Sequence, residues 1–327
     1  MRPLRVLTWH IHGSYLASLA CVPHTWILPV RPGRPERYGG RIGSFDWPGH
    51  VVEVAAEDVA STPIDAVVYQ TLANWESDRF EILSAAQRRL PAIYLEHDPP
   101  RGTPTDTRHP VDDPNTLLVH VTPFNALMWD SGRTPARVID HGVPAPRLRW
   151  NGHLARGVTA VNGLRARGRR LGADVFELVA SQVPIDLAGM GSEEFGGLGD
   201  LPRDRLAEVE ADRRFFFNPI RYTSLGLAVV EAMHLGMPIV GLATTEMATA
   251  IQNGVSGWVD TDVGRLVEVM RALLADRKWA ARLGAGAREH ARERFGIERF
   301  VRDCDAAHRD VTGTGTPRCR AATVVTS

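Results

Sequence analysis

Phe217-Asn218-Pro219-Ile220-Arg221-Tyr222-Thr223-Ser224-Leu225-Gly226-Leu227-Ala228-Val229-Val230-Glu231-Ala232-Met233-His234-Leu235-Gly236-Met237-Pro238-Ile239-Val240 is the stretch on which the reading of this chain turns. Arg214 to Phe217 reads as a strand, a loop follows, and small residues lead straight into a helix that runs from Gly226 to Leu235. Pro238 to Leu242 then returns as a second buried strand. Strand, helix, strand in this order makes a parallel crossover unit. The free N–H groups and the positive end of such a helix form a ready anion site. Glu231 lies about one and a half turns in, where a carboxylate can accept paired hydrogen bonds from vicinal hydroxyls such as those of a ribose. The plainer alternative is an ordinary helix start with a capping or solvated Glu.

The same alternation extends outward in both directions. Upstream, strands are expected at Leu4 to Trp9, Val51 to Val54, Asp65 to Tyr69, Ala92 to Leu95, Leu117 to Thr122 and Arg137 to Ile139. A helix is expected over Glu76 to Arg89, with Phe80, Ile82, Leu83 and Ala86 on one side. His10 to Ser14 reads as a strand-to-loop turn, and Arg101 to Asn115, rich in Pro, Thr and Asp, as loop. Turn chemistry between Gly142 and His153 marks a domain boundary. Beyond it come strands at Gly157 to Val161 and Ile185 to Ala188, a helix at Asp174 to Ser181, and helices from Val263 to Leu274 and on to about Asp310. Buried strands alternating with helices make parallel sheets covered on both faces. Ligands of such sheets bind beyond the carboxyl ends of the strands.

Composition narrows the function. The 327 residues suit two α/β domains, and 44% hydrophobic with 23% charged residues is a globular composition. Lys plus Arg is 38 and Asp plus Glu is 38, so there is no basic excess of the kind a general nucleic-acid binder carries. Cys21, Cys304 and Cys319 show no CxxC spacing and read as reduced thiols. No run approaches the ~18–20 apolar residues of a membrane span, and the first residues lack a signal-peptide pattern. A cytoplasmic protein without an integral membrane segment is expected, with at most a peripheral membrane association. His10-x-His12 invites a metal reading but lacks a third ligand. No GxSxG is present, and no GxGxxG follows the first strand. Trp9, Trp26, Trp47 and Trp75 suit either a core or an acceptor-facing wall.

The opening stretch resembles the donor-site signature of retaining GT-B glycosyltransferases of the family 4-like group, which reads approximately P-x-x-x-E-G-F-G-L-x-x-x-E-A-M-x-x-G-x-P-V-V. Ala250-Ile251-Gln252-Asn253-Gly254-Val255-Ser256-Gly257-Trp258-Val259 is similar to the group's next segment. Leu283-Gly284, Ala287-Arg288 and Phe295 match its C-terminal pattern. The likeness covers the second half; the first half matches through strand order, Glu96-His97-Asp98 and Asp140-His141-Gly142-Val143.

The resemblance implies an α/β fold of GT-B type, two doubly wound Rossmann-like domains facing across a cleft. Residues 1–150 would form the acceptor-side domain and 151–311 the nucleotide-sugar donor domain, the last helix packing back on the first domain. Residues 312–327 would be a frayed tail. The implied activity is transfer of a sugar from a nucleotide-diphosphate donor to a small-molecule or glycan acceptor with retention of configuration, without a cofactor and independent of metal. Glu231 matches the second Glu of the group's E-x7-E pair and would bind the ribose. Ser224, Leu225 and Gly226 would bring loop amides to the donor phosphates or sugar, and Gly13 is what stands of an N-terminal Gly-rich loop. His97 resembles the histidine that faces the donor sugar; a structural His capping a strand is its alternative. Arg167-Gly168 aligns with a Lys-Gly whose cation neutralises the leaving diphosphate, with Arg169 and Arg170 as rivals and a solvated basic loop as the alternative for each.

Departures stand at Thr223, where the first Glu of the pair is expected, at Ser224 and Leu225, at Asn162 in place of a phosphate-binding Arg, and at Thr249 in place of a later Glu. Thr223 offers one hydrogen bond without charge or bidentate reach. Two further readings follow: a GT-B protein that binds a nucleotide sugar with little or no transfer, and a nucleotide-sugar epimerase.

Overall fold

The computed structural model describes residues 2–43 and 45–314. The chain opens with β1 (Arg5–Thr8), α1 (Gly13–Leu19), β2 (Thr25–Val30), β3 (Val51–Ala55), β4 (Ala66–Tyr69), α2 (Arg79–Ile82), β5 (Ala92–Glu96), β6 (Thr116–His120), α3 (Pro123–Met128) and β7 (Ala136–Val138). After a connecting segment come β8 (Leu154–Ala160), α4 (Gly168–Leu171), α5 (Ala173–Ala180), β9 (Ile185–Ala188), α6 (Arg203–Asp212), β10 (Arg213–Asn218), α7 (Leu227–Leu235), β11 (Ile239–Leu242), α8 (Met247–Ala250) and β12 (Gly257–Asp260). Three helices close the described chain: α9 (Val263–Ala275), α10 (Arg277–Arg294) and α11 (Ile297–Thr312).

The strands form two wholly parallel sheets, one of seven in the order β3-β2-β1-β4-β5-β6-β7 and one of five in the order β12-β11-β10-β8-β9. Alternation along β10 shows why both faces are covered. Phe215 and Phe217 pack with Phe176 and Met270 under α5 and α9, while Phe216 points the other way to Val230, Met233 and Phe295 under α7 and α10. In the first sheet Val6 faces Tyr15, Phe300 and Cys304, and Leu7 faces Trp9, Val59 and Tyr69. Thus α11, the last of the described helices, is built into the core of the first sheet.

The helix expected over Glu76 to Arg89 is instead broken into pieces: a π-helical turn (Asn74–Asp78), the single turn α2, and a 3₁₀ turn (Gln87–Arg89). Leu83 is extended at the break, and Gln87 holds it there, accepting from Ser84 N and donating to the carbonyls of Val59 and Thr62. The two carbonyls come from another part of the chain, so local periodicity could not register them. Phe80, expected on the same side as Ile82 and Leu83, is 56% exposed while those two are buried. The turn expected from His10 to Ser14 contains the start of α1 at Gly13. Thr312 closes α11 and is not part of a tail; residues 315–327, with Cys319, lie outside the described residues. Trp9 and Trp26 are core residues, Trp75 lies beneath the Arg79 guanidinium, and Trp47 packs against His10 and Phe45.

Candidate active site

Each sheet has one place where the chain reverses its direction of winding, between β1 and β4 in the first and between β8 and β10 in the second. Loops leaving the strands on either side of such a point diverge and leave a crevice. The residues after β1 and β4 are Trp9 to Gly13 and Gln70; those after β8 and β10 are Val161 to Arg167 and Pro219 to Gly226.

The two crevices are joined by direct contacts between the domains. Tyr222 Oη donates to the Pro100 carbonyl at 2.9 Å, and its ring meets Phe124 edge to face. Glu246, buried after β11, accepts from Phe124 N at the start of α3 (2.9 Å) and from Arg294 (2.6 Å), which also grips Asp140. His141 Nε2 donates to the Leu225 carbonyl at 2.8 Å.

On the first-domain side, His97 follows β5. Its ring lies 4.5 Å from that of His12 and 4.6 Å from that of Tyr15, both edge to face. Burial pushes its pKa well below the ordinary histidine value, and the imidazoles of His12 and His141 push the same way. His97 is therefore neutral at neutral pH. Gln70 Oε1 stands 3.3 Å from its Nε2. A Cβ at Gly13 would lie 2.7 Å from the Phe45 ring and 3.3 Å from His10 Nε2, so this glycine answers to a close approach. His10 Nδ1 donates to the Gly40 carbonyl whereas His12 rests on His97, so the two do not act as a pair. Among the described residues no three His, Cys, Asp or Glu side chains gather in a metal-holding group.

On the second-domain side, Arg167 immediately precedes α4. Burial lowers its pKa, and the groups that act on it include Arg170 and, from the opposite domain, Asp98 and Arg101. Arg167 thus sits within electrostatic reach of the loop that carries His97. Arg169 is committed elsewhere: it pairs with Asp174 at 2.6 Å, and Asp174 is also held by Arg221. Arg167 and Arg170 make no ion pair among the described residues. Asn162 Oδ1 accepts from Met190 N at 2.9 Å, tying the loops after β8 and β9 together.

The loop from Thr223 to Gly226 enters α7 with no side chain capping the helix. Leu225 is buried: its side chain packs in the core with Val229 and Met233, and its carbonyl is held by His141 Nε2. Gly226 has an ordinary negative φ, and a Cβ there would meet nothing within 4 Å. Open space over an uncapped helix start is what a phosphate requires. Glu231 accepts from Arg203 Nη2 at 3.1 Å, Arg203 being the first residue of α6. It shares a small cavity with Glu210, whose Oε1 is buried without a partner. Burial raises the pKa of both carboxyls, most strongly that of Glu210, and Glu231 raises Glu210 further.

The structure thus brings His97, Arg167 and the Thr223–Gly226 loop to facing ends of the sheets, places Glu231 farther along α7, and ties Arg169 away. Sequence reading passed over Gln70, Tyr15, Glu210 and Arg203. Gln70 carried a signal, since it directly follows a strand; the others touch the site only through packing between elements distant in sequence.

A family model described as Glycosyl transferases group 1 matches residues 177–276, under a third of the chain. Over 92 residues the chain is 37% identical to D-inositol 3-phosphate glycosyltransferase 1 of Catenulispora acidiphila, covering 28% of this chain and 22% of that protein. It is 23% identical over 314 residues to α-maltose-1-phosphate synthase of Mycobacterium tuberculosis, covering 88% of this chain and 73% of the relative. Among solved structures, sucrose-phosphate synthase from Thermosynechococcus elongatus superposes with a TM-score of 0.69 at 14% identity, covering 96% of this chain and 100% of that one. Anabaena HepE, solved in complex with UDP-glucose, gives 0.65 at 13% identity, covering 94% and 100%. The fold is GT-B, two parallel α/β sheets facing each other. Among the described residues no helix is long and apolar enough to cross a membrane.

Proposed function

We propose that this GT-B chain, which carries a group 1 glycosyl transferase segment, moves a sugar from a nucleoside-diphosphate donor to an acceptor hydroxyl and retains the anomeric configuration. One observation supports the reading: Arg167, without an ion-pair partner among the described residues, feels Asp98 beside His97 on the opposite domain, and the helix start at Gly226 has no side-chain cap. Cleavage of the sugar–phosphate bond leaves negative charge on the departing diphosphate. Preplaced guanidinium groups of Arg167 and Arg170 and the amides of Leu227 and Ala228 would meet that charge as it develops. Glu231 would accept from the ribose hydroxyls, sharing or displacing Arg203. Neutral His97 would hold a hydroxyl of the donor sugar, and Thr223 would offer it one uncharged hydrogen bond. Contacts that close the cleft would exclude water and limit hydrolysis of the donor. The acceptor would enter from the first-domain side. The cations and helix amides would do the work of a metal ion.

Titration calorimetry of the full chain with UDP, GDP, ADP and TDP, in the presence of EDTA, tests this. Clear binding of one nucleotide supports the donor site and its metal independence, and directs the search to sugars carried on that base. Failure of all four to bind, with and without Mg²⁺, would overturn the reading.

A further inference from the structure

We propose that Gln70 is a positioning residue, one that holds His97 as the neutral tautomer protonated on Nε2 and leaves Nδ1 as a bare hydrogen-bond acceptor.

Gln70 directly follows β4 and is buried. Its Nε2 donates to the Trp9 carbonyl and to Thr8 Oγ1, both at 3.0 Å. A backbone carbonyl has no proton to give, so the end of the amide that faces Trp9 must be the NH₂. Its Oε1 is then left facing His97 Nε2 at 3.3 Å. An amide oxygen only accepts, so the ring nitrogen opposite it must carry the proton. The backbone of Gln70 is fixed as well, its N donating to Asn74 Oδ1. His97 Nδ1 makes no hydrogen bond among the described residues and is not among the buried polar atoms lacking a partner. It therefore remains reachable. The groups facing the ring are His12 and Tyr15 from the first helix and its cap, and His141 after β7. None is a carboxylate, and burial disfavours the imidazolium.

A bare Nδ1 accepts from a hydroxyl and repels a carbonyl or carboxylate oxygen. At this position the site would therefore select a sugar hydroxyl. That consequence rests on the proposed function; the tautomer does not.

The test is ring ¹⁵N NMR of the histidine-labelled full chain, with the His97 signals assigned by their loss in His97→Gln. Wild type should show a protonated Nε2 and an unprotonated Nδ1 from pH 6 to 8. Gln70→Leu should mix the tautomers and raise the donor KM about fivefold, the share of one neutral hydrogen bond. Gln70→Glu, nearly isosteric, should bring the imidazolium signature toward neutral pH and shift the acid limb of the kcat/KM profile. A wild-type ring protonated on Nδ1, or ring signals unmoved in Gln70→Glu, overturns the proposal. If Gln70→Leu fails to fold, Gln70→Glu alone decides. Should the ring respond as stated while His97→Gln transfers like wild type, the donor-facing role of His97 falls and the hold by Gln70 stands.

Discussion

Glu231 and Glu210 share one cavity but differ in what neutralises them. Glu231 has the Arg203 guanidinium; Glu210 has an oxygen buried without a partner. If Glu231 receives the ribose, Glu231→Ala should weaken nucleotide binding by roughly 1–3 kcal/mol, the scale of a lost charged hydrogen bond. Calorimetric affinity indistinguishable from wild type would remove it from the site. Glu210 makes a different prediction. Its folded pKa is raised by burial, so the folded state binds the proton more tightly than the unfolded state. The stability this contributes is complete below the ordinary Glu value and is lost as pH rises toward the raised one. Glu210→Gln should therefore gain thermal stability over wild type at pH 8.5 and much less at pH 5. An equal gain at both values would mean that Glu210 is not held protonated. At this scale Glu231 was legible from its place in a helix after a strand. Glu210 was not, because it reads as one more charge on a polar helix until α6 is seen packed on α7.

Among the elements, two glycines separate packing from binding. Gly142, in the segment between β7 and β8, lies against α11: a Cβ there would stand 2.1 Å from Phe300 Cβ, an atom fixed to its own backbone. Gly142→Ala should push α11 off the first sheet and cost about 1–3 kcal/mol, as overpacking does. Chemical denaturation would measure it, and a cost near zero would show that α11 yields easily. Gly226→Ala meets no protein atom and has an ordinary φ, so it should leave the unfolding midpoint nearly unchanged while weakening nucleotide binding. Equal loss of both would place Gly226 in the framework. The sequence alternation located most strands because buried parallel strands are continuous apolar runs. The crossover from β4 to β5 escaped it, since Gln87 fixes that path through hydrogen bonds to the distant carbonyls of Val59 and Thr62, and Asp78 through its pair with Arg37.

Across the whole molecule, His120, His141 and His308 are buried, and each titrates at about 4 in the folded chain. Unfolded histidines titrate near 6.5. Between these values the unfolded chain takes up protons that the folded chain refuses, so stability present above about pH 6.5 is lost as pH falls toward 4. In a Glu210→Gln background, which removes the carboxyl that titrates in the opposite sense, urea midpoints should hold steady from pH 7.5 to 6.5 and then drop, each histidine contributing up to about 1.4 kcal/mol per pH unit. His308→Gln should reduce that slope by about one group's share; an unchanged slope would mean His308 is protonated within the fold.

Amino-acid order alone determined that strands and helices alternate, that the sheets are parallel, and that a helix starts in the loop after β10. These properties follow from apolar runs, turn chemistry and the direction of a helix, all local in the chain. Only the tertiary structure decided that Arg169 is spent on Asp174 while Arg167 approaches Asp98, that Gln70 reaches His97, and that Glu246 joins α3 to Arg294. Each of these depends on which guanidinium, amide or carboxylate finds a partner across a domain or sheet boundary, and such partners are set by packing among residues far apart in sequence.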